Sequence, residues 1–189
     1  MVTLKEEQQL PFEYNWKLRA YLPGTVKLGD YREYYSPDGS RVFRGRDIMP
    51  TKPPVVILKG HNLIVTVGKQ QVGDMLMDVS GYDIGLTYCA LGANNGAPVI
   101  AETQLVDEGG GGPMRKTITN KSRLIKVITL STFFTAAEST LAILEAAIFG
   151  HSSAGPTENS GIMFTRWLVT FDNSGALYDV SIDYELTIG

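Results

Sequence analysis

Residues 141–150, Leu141-Ala-Ile-Leu-Glu-Ala-Ala-Ile-Phe-Gly150, decide how the chain is read. By propensity alone they pass for a helix, being rich in Leu, Ala and Glu. Read as a strand, Leu141, Ile143, Ala147 and Phe149 alternate with Ala142, Leu144, Ala146 and Ile148, giving a segment apolar on both faces. The surroundings fit the strand. The closing stretch 176–188, ALYDVSIDYELTI, alternates strictly. Tyr178, Val180, Ile182, Tyr184, Leu186 and Ile188 are expected to face inward, and Asp179, Ser181, Asp183, Glu185 and Thr187 outward to solvent. Before it, 162–171 (IMFTRWLVTF) reads as a strand joined to it by a turn at Asp172-Asn173-Ser174-Gly175. Residues 123–134, RLIKVITLSTFF, read as one strand, with Ile125, Val127 and Phe133 opposite Leu124, Ile128 and Phe134. Residues 83–92, DIGLTYCALG, read as a buried strand that ends on Leu91-Gly92 and opens into a small-residue loop. Only 60–77 has a roughly helical spacing, in Leu63, Ile64, Val67, Met75 and Leu76, weakened by Gly68 and Gly73. His61 is expected to help start that helix. Strands at short spacing joined by hairpin turns predict a mainly β fold: an antiparallel β-sandwich, jelly-roll-like, carrying one helix.

The first 55 residues read differently. Pro11, Pro23, Pro37, Pro50, Pro53 and Pro54 are six of the chain's nine prolines, and proline forbids long helices and interior strands. Arg32–Gly45, REYYSPDGSRVFRG, looks like a hairpin turned at Pro37-Asp38-Gly39, and Met49–Pro54 like an extended linker. Phe12, Trp16, Tyr21 and Phe43 are costly to leave in water. The expectation is an arm, residues 1–55, lying on a neighbouring subunit, with 56–189 as the sandwich. Tyr14, Trp16, Arg19, Tyr31, Tyr34 and Tyr35 are its candidate interface residues, Tyr, Trp and Arg being enriched at protein contacts.

Composition removes several function classes. Net charge is −3, from 17 basic and 20 acidic side chains, so nucleic-acid binding is not expected as the main task. Cys89 is the one cysteine, which excludes an intramolecular disulfide and a cysteine zinc site, and its apolar setting reads as an inert buried thiol. His61 and His151 are too few for a histidine metal cluster. No signal-peptide pattern opens the sequence, and no stretch approaches the ~18 apolar residues of a membrane span. No cofactor or membrane partner is expected. The run Gly109–Gly112 is followed by Pro113-Met114 where a phosphate loop needs Gly-Lys-Ser/Thr, and it reads as a flexible loop. No Gly-x-Ser-x-Gly or His-Glu-x-x-His occurs. Asp179, Asp183 and Glu185 read as a solvated sheet face. Glu145 is the unusual charge. It stands inside an apolar strand, on the face assigned to Ile143 and Phe149, where a lone carboxylate costs several kcal/mol unless paired. Arg115, Arg166 or loop amides are its expected partners, and its expected task is to pin the loop after Gly92 to the core.

Several pieces in this order carry a resemblance: HNLIVTVGKQQVGDML, LTYCALGANNGAP, ETQLVDE, ILEAAIFG and FDNSGALYDVSIDYELTIG. Together, over roughly residues 60–189, the chain resembles the N-terminal attachment domains of bacteriophage tail-collar and tail-fibre proteins and related small phage virion proteins. Leu91-Gly92, Pro98, Thr103, Leu105, Glu108, Ile143, Glu145, Ile148 and Phe149 match the group's pattern. The group's arginine soon after the glutamate is displaced here to Arg115, beyond Gly109–Met114, and a fibre shaft is not expected. The resemblance implies a non-enzymatic virion protein, made in the host cytoplasm, that docks on tail or baseplate subunits and forms homo-oligomers, trimers among them. A capsid cement or decoration protein contacting the major capsid protein is the alternative. A carbohydrate-binding module is the alternative of another class. A glycan hydrolase would need two facing carboxylates at a set separation.

Overall fold

Alternation of apolar and polar residues makes strands here, and the strands pair into two antiparallel sheets. The computed structural model describes residues 12–82, 85–109 and 114–188, with side chains from Asn15 onward. The strands are β1 (Phe12–Tyr21), β2 (Val26–Tyr35), β3 (Arg41–Pro50), β4 (Val56–His61) and β5 (Leu63–Ile64), followed by the helix α1 (Thr66–Leu76). Then come β6 (Leu86–Gly92), β7 (Arg115–Thr117), β8 (Asn120–Leu124), β9 (Val127–Phe134), β10 (Ala142–Gly150), β11 (Ile162–Asp172) and β12 (Asp179–Ile188). A seven-stranded sheet has the order β2-β3-β8-β9-β12-β1-β4, and a five-stranded sheet the order β5-β11-β10-β6-β7. The chain is thus an antiparallel β-sandwich with one helix, and residues 141–150 contribute a central strand.

Between the sheets lies an apolar core that includes Leu18, Leu91, Ile143, Ile148, Trp167 and Ile182. Trp16 stacks on Trp167 at 6.4 Å and Trp167 on Tyr184 at 6.0 Å, an aromatic row that crosses from one sheet to the other. A second, smaller cluster of Val65, Ala90, Leu105, Ala147, Phe149 and Met163 seals the back of the five-stranded sheet. It is covered by α1 and by the loop 93–109. Gly68 makes the helix's approach possible: a Cβ there would sit 2.0 Å from the Phe164 carbonyl oxygen. The glycine that weakens the helical pattern is the one that seats the helix.

Four expectations are corrected. The segment 1–55 does not behave as one arm. β1 lies inside the large sheet, paired with β12 on one side and β4 on the other, and Trp16, Leu18 and Ala20 are core residues. Tyr14 stands opposite Leu186 in this ladder, its side chain outside the described residues, and Arg19 ion-pairs with Asp183. Only the β2–β3 hairpin projects. Its strands are longer than the predicted hairpin, running back to Val26 and on to Pro50, which takes in the start of the expected linker. Second, the helix begins at Thr66, not at residue 60; His61 ends β4, and Leu63 and Ile64 form β5. Third, residues 123–134 are two strands, turned at Ile125 and Lys126 with Ile125 at φ 54°. A β-branched residue in the left-handed region gives no turn signal. Fourth, the outer face of β12 is not a solvated row. Asp179 is 5% exposed and accepts from the Gly24 and Ala136 amides, and Asp183 is 8% exposed beside Arg19. β12 is central, and its carboxylates are covered from beside it, Asp179 by the Gly24 and Ala136 amides and Asp183 by Arg19 of β1.

A structural role for Trp16 predicts a large effect on stability. Trp16→Ala is expected to cost about 3–5 kcal/mol in a guanidinium unfolding curve. A residue on a detachable arm would leave the curve in place.

Candidate assembly surface

The residues singled out around the loop after Gly92 converge on the back of the five-stranded sheet. Two register irregularities between β10 and β11, at Ile143/Glu145 and Ile148/Phe149, break simple alternation. Ile143 therefore packs in the inter-sheet core with Ala146 and Ile148, whereas Ala147 and Phe149 belong to the back layer with Leu105. Glu145 does not share a face with Ile143 as alternation would have it. A bulge moves a side chain to the other face without altering composition.

Glu145 is fully buried, and its partner is Arg166: Nε donates to Oε2 at 2.6 Å, with both side chains at 0% exposure. Glu145 Oε1 accepts from the Asp107 amide at 2.9 Å. Arg166 spends its other donors on the same loop. Nη1 donates to both carboxylate oxygens of Glu102 at 3.0 Å, and Nη2 to the Gly96 carbonyl at 2.9 Å. One guanidinium thus reaches two carboxylates and a carbonyl in its fork geometry. Gly92 lies opposite Glu145 in the ladder, and a Cβ on it would stand 2.6 Å from Glu145 Oε1. Glycine at 92 is the space the carboxylate occupies.

Arg115 takes a different partner. It pairs with Glu108 in a bidentate fashion, Nε–Oε1 at 2.6 Å and Nη2–Oε2 at 3.1 Å. Its Nη1 donates to the Ser160 carbonyl at 2.5 Å, and its guanidinium lies over the Phe149 ring at 3.9 Å. This second latch joins the far end of the loop to the loop 151–161. Backbone bonds close the neck between the two: Ala93 N to Asp107 O at 2.9 Å and Gly109 N to Leu91 O at 2.8 Å. The Ile100 carbonyl receives the Thr66 amide at 2.8 Å, at the start of α1. Leu105, 1% exposed, packs in the cluster with Ala147, Phe149 and Met163. Pro98 is half-buried and Thr103 exposed. Gly110–Pro113, including most of the glycine run, lie outside the described residues.

Held this way, the loop turns Val99, Ile100 and Val106 outward at 55%, 47% and 58% exposure. The other displayed surface is the hairpin. β7, the edge of the small sheet, packs over β9, so β8, β3 and β2 extend past it as a wing. Tyr31, Tyr34 and Tyr35 are 54%, 47% and 55% exposed there. Glu33 sits at the centre of one face, accepting from the Tyr31 and Tyr35 hydroxyls at 2.9 and 2.7 Å, with Arg41 and Arg44 at 3.5 Å. Its carboxyl is held below the usual range, chiefly by the two tyrosine hydroxyls. Lys121 is pushed down to about 8, chiefly by burial and further by Arg44 and Arg41 beside it.

Burial pushes the Cys89 thiol up to about 12, away from thiolate chemistry. Among the described residues no group of three His, Cys, Asp or Glu is placed to hold a metal ion, and no helix is long and apolar enough to cross a membrane. Two clefts of about 180 and 170 Å³ are smaller than a metabolite pocket. No protein family, curated protein or solved structure matches the chain.

The latch predicts a specific mutational pattern. Glu145→Gln leaves the buried Arg166 with Glu102 as its one remaining counter-charge and is expected to cost about 3 kcal/mol. Arg166→Met combined with Glu145→Gln is expected to recover part of that loss in chemical denaturation, because the one charge left without its partner, Glu102, is 19% exposed and reaches water.

Proposed function

We infer that this chain is a non-enzymatic structural protein of a bacteriophage particle, a module that docks on neighbouring tail or baseplate subunits in the manner of tail-collar and tail-fibre attachment domains. One observation carries the reading. Gly92, Leu105, Glu108, Glu145 and Phe149, residues of the resemblance, meet in a single buried layer, and that layer fixes a loop that turns Val99, Ile100 and Val106 outward among the exposed Asn95, Thr103, Gln104 and Asp107. Charges that could serve chemistry are consumed in holding shape: both oxygens of Glu145 and Glu108 are committed to protein donors. A rigid loop presenting Val99, Ile100 and Val106 loses little entropy on docking. The exposed tyrosines and arginines of the wing add a second contact surface of interface composition.

The test is location. Mass spectrometry of purified particles of the encoding phage is expected to find the chain at an integral copy number, and a density map to place the sandwich on the tail or baseplate. Density on the head would turn the account to a capsid cement protein. Absence from particles, or turnover of a glycan by the free chain, would contradict it.

A further inference from the structure

Two surfaces at opposite ends of the sandwich complement each other. The wing is one. Residues 26–50 and 120–124 hold seven basic and four acidic side chains, against 17 and 20 in the whole chain, so the remainder of the chain is acidic. The wing's charge is displayed with aromatic groups: Arg41 stacks on Tyr35 at 5.7 Å and Arg32 on Tyr34 at 5.6 Å. The other surface is the C-terminal end of α1 and the turn after it. Leu76, Met77 and Val79 are 81%, 77% and 39% exposed, beside Asp74 and the exposed Asp78. Next to them the cleft of about 180 Å³ is lined by Val67, Gln70, Asp74, Tyr82, Thr103 and Ile162. It is too small for a metabolite, and its scale is that of one inserted side chain.

The fold keeps these surfaces apart. The wing lies beyond β9 at one end of the large sheet, whereas α1 packs on β11 toward the opposite end of the small one. One chain cannot bring its own pair together; a second copy can. We propose that the chain self-associates head to tail, the Tyr/Arg wing of one copy docking on the acidic, apolar end of α1 in the next with one wing side chain seated in the Asp74 cleft. Such a contact is heterologous, so it builds a closed ring where the rotation closes. The inference rests on the reading of the chain as an assembly module and names one of its partners as a second copy of itself. Desolvated Tyr and Arg anchors supply affinity in contacts of this kind, and the opposed charges set orientation and speed encounter.

Charge reversal on the purified full chain tests it, read by sedimentation velocity against protein concentration at low and high salt. Wild type is expected to form oligomers that weaken with salt. Arg41→Glu with Arg44→Glu, or Asp74→Lys with Asp78→Lys, is expected to raise the dissociation concentration about tenfold or more, with circular dichroism unchanged. Combining all four substitutions in one chain is expected to restore association, a result that misfolding or a general charge effect does not produce. A wild type that stays monomeric at every concentration overturns the proposal, as do oligomers indifferent to both reversals or not restored by the combination. The two readings fail separately. A monomeric chain found in particles removes this inference alone, and a self-associating chain absent from particles removes the virion reading alone.

Discussion

The pair of Arg166 and Glu145 is the constraint around which the back of the molecule is organised. Both side chains are at 0% exposure, on the neighbouring strands β10 and β11 of the small sheet. Such a pair gains little net stability over well-packed apolar residues, because two charges must first leave water. What it does here is select a geometry. Arg166 has donors left after Glu145, and they are satisfied only when Asn94, Gly96 and Glu102 come to it. Glu145 likewise needs the Asp107 amide. The loop 93–109 is therefore drawn onto the sheet from both of its sides. Displacing it would leave the remaining Arg166 donors and one Glu145 oxygen unsatisfied in a buried layer. The Glu108–Arg115 pair repeats the arrangement at the loop's far end and fastens the loop 151–161 as well.

This division of labour bears on how the chain works. Its most strongly held charges lie inward, where they fix shape. Its outward surfaces carry apolar side chains on the latched loop, aromatic and basic ones on the wing, and acidic and apolar ones at the end of α1. A surface divided in this way fits a part that meets several neighbours in fixed directions. The tail-attachment reading draws on the same residues as the latch. The head-to-tail contact uses the wing and the helix end, leaving the loop's Val99, Ile100 and Val106 free for a different subunit.

Much of this architecture is legible in the residues, for identifiable reasons. A strand flanked by other strands outweighs helix propensity at 141–150, because propensity is a small term beside burial. Glu145 announces itself as a charge that must be paired, and the structure gives it Arg166 and a loop amide. The partner itself was not legible, since Arg115 and Arg166 stand equally well in sequence and only the fold separates them. β1 is hidden in the sequence for a related reason. Proline density between 11 and 54 marks turns and strand ends, yet none of those prolines falls between Phe12 and Tyr21, where the chain is free to form an interior strand. The turn at Ile125 and the irregularities in β10 and β11 leave no compositional trace. Burial of Asp179 and Asp183 follows from β12 being central, a property of strand order that alternation does not encode.

The claim that ionic latches hold the loop as rigidly as a strand is measured most directly by amide hydrogen exchange in the free, full-length chain. The amides of Asp107 and Gly109 lie in or next to a connection outside the named strands, bonded to Glu145 and to the Leu91 carbonyl. The account predicts that both exchange only through global unfolding, with protection equal to that of the β10 and β11 core amides. Exchange at the rate of open, unstructured chain at these two positions, with β10 and β11 still protected, would contradict it.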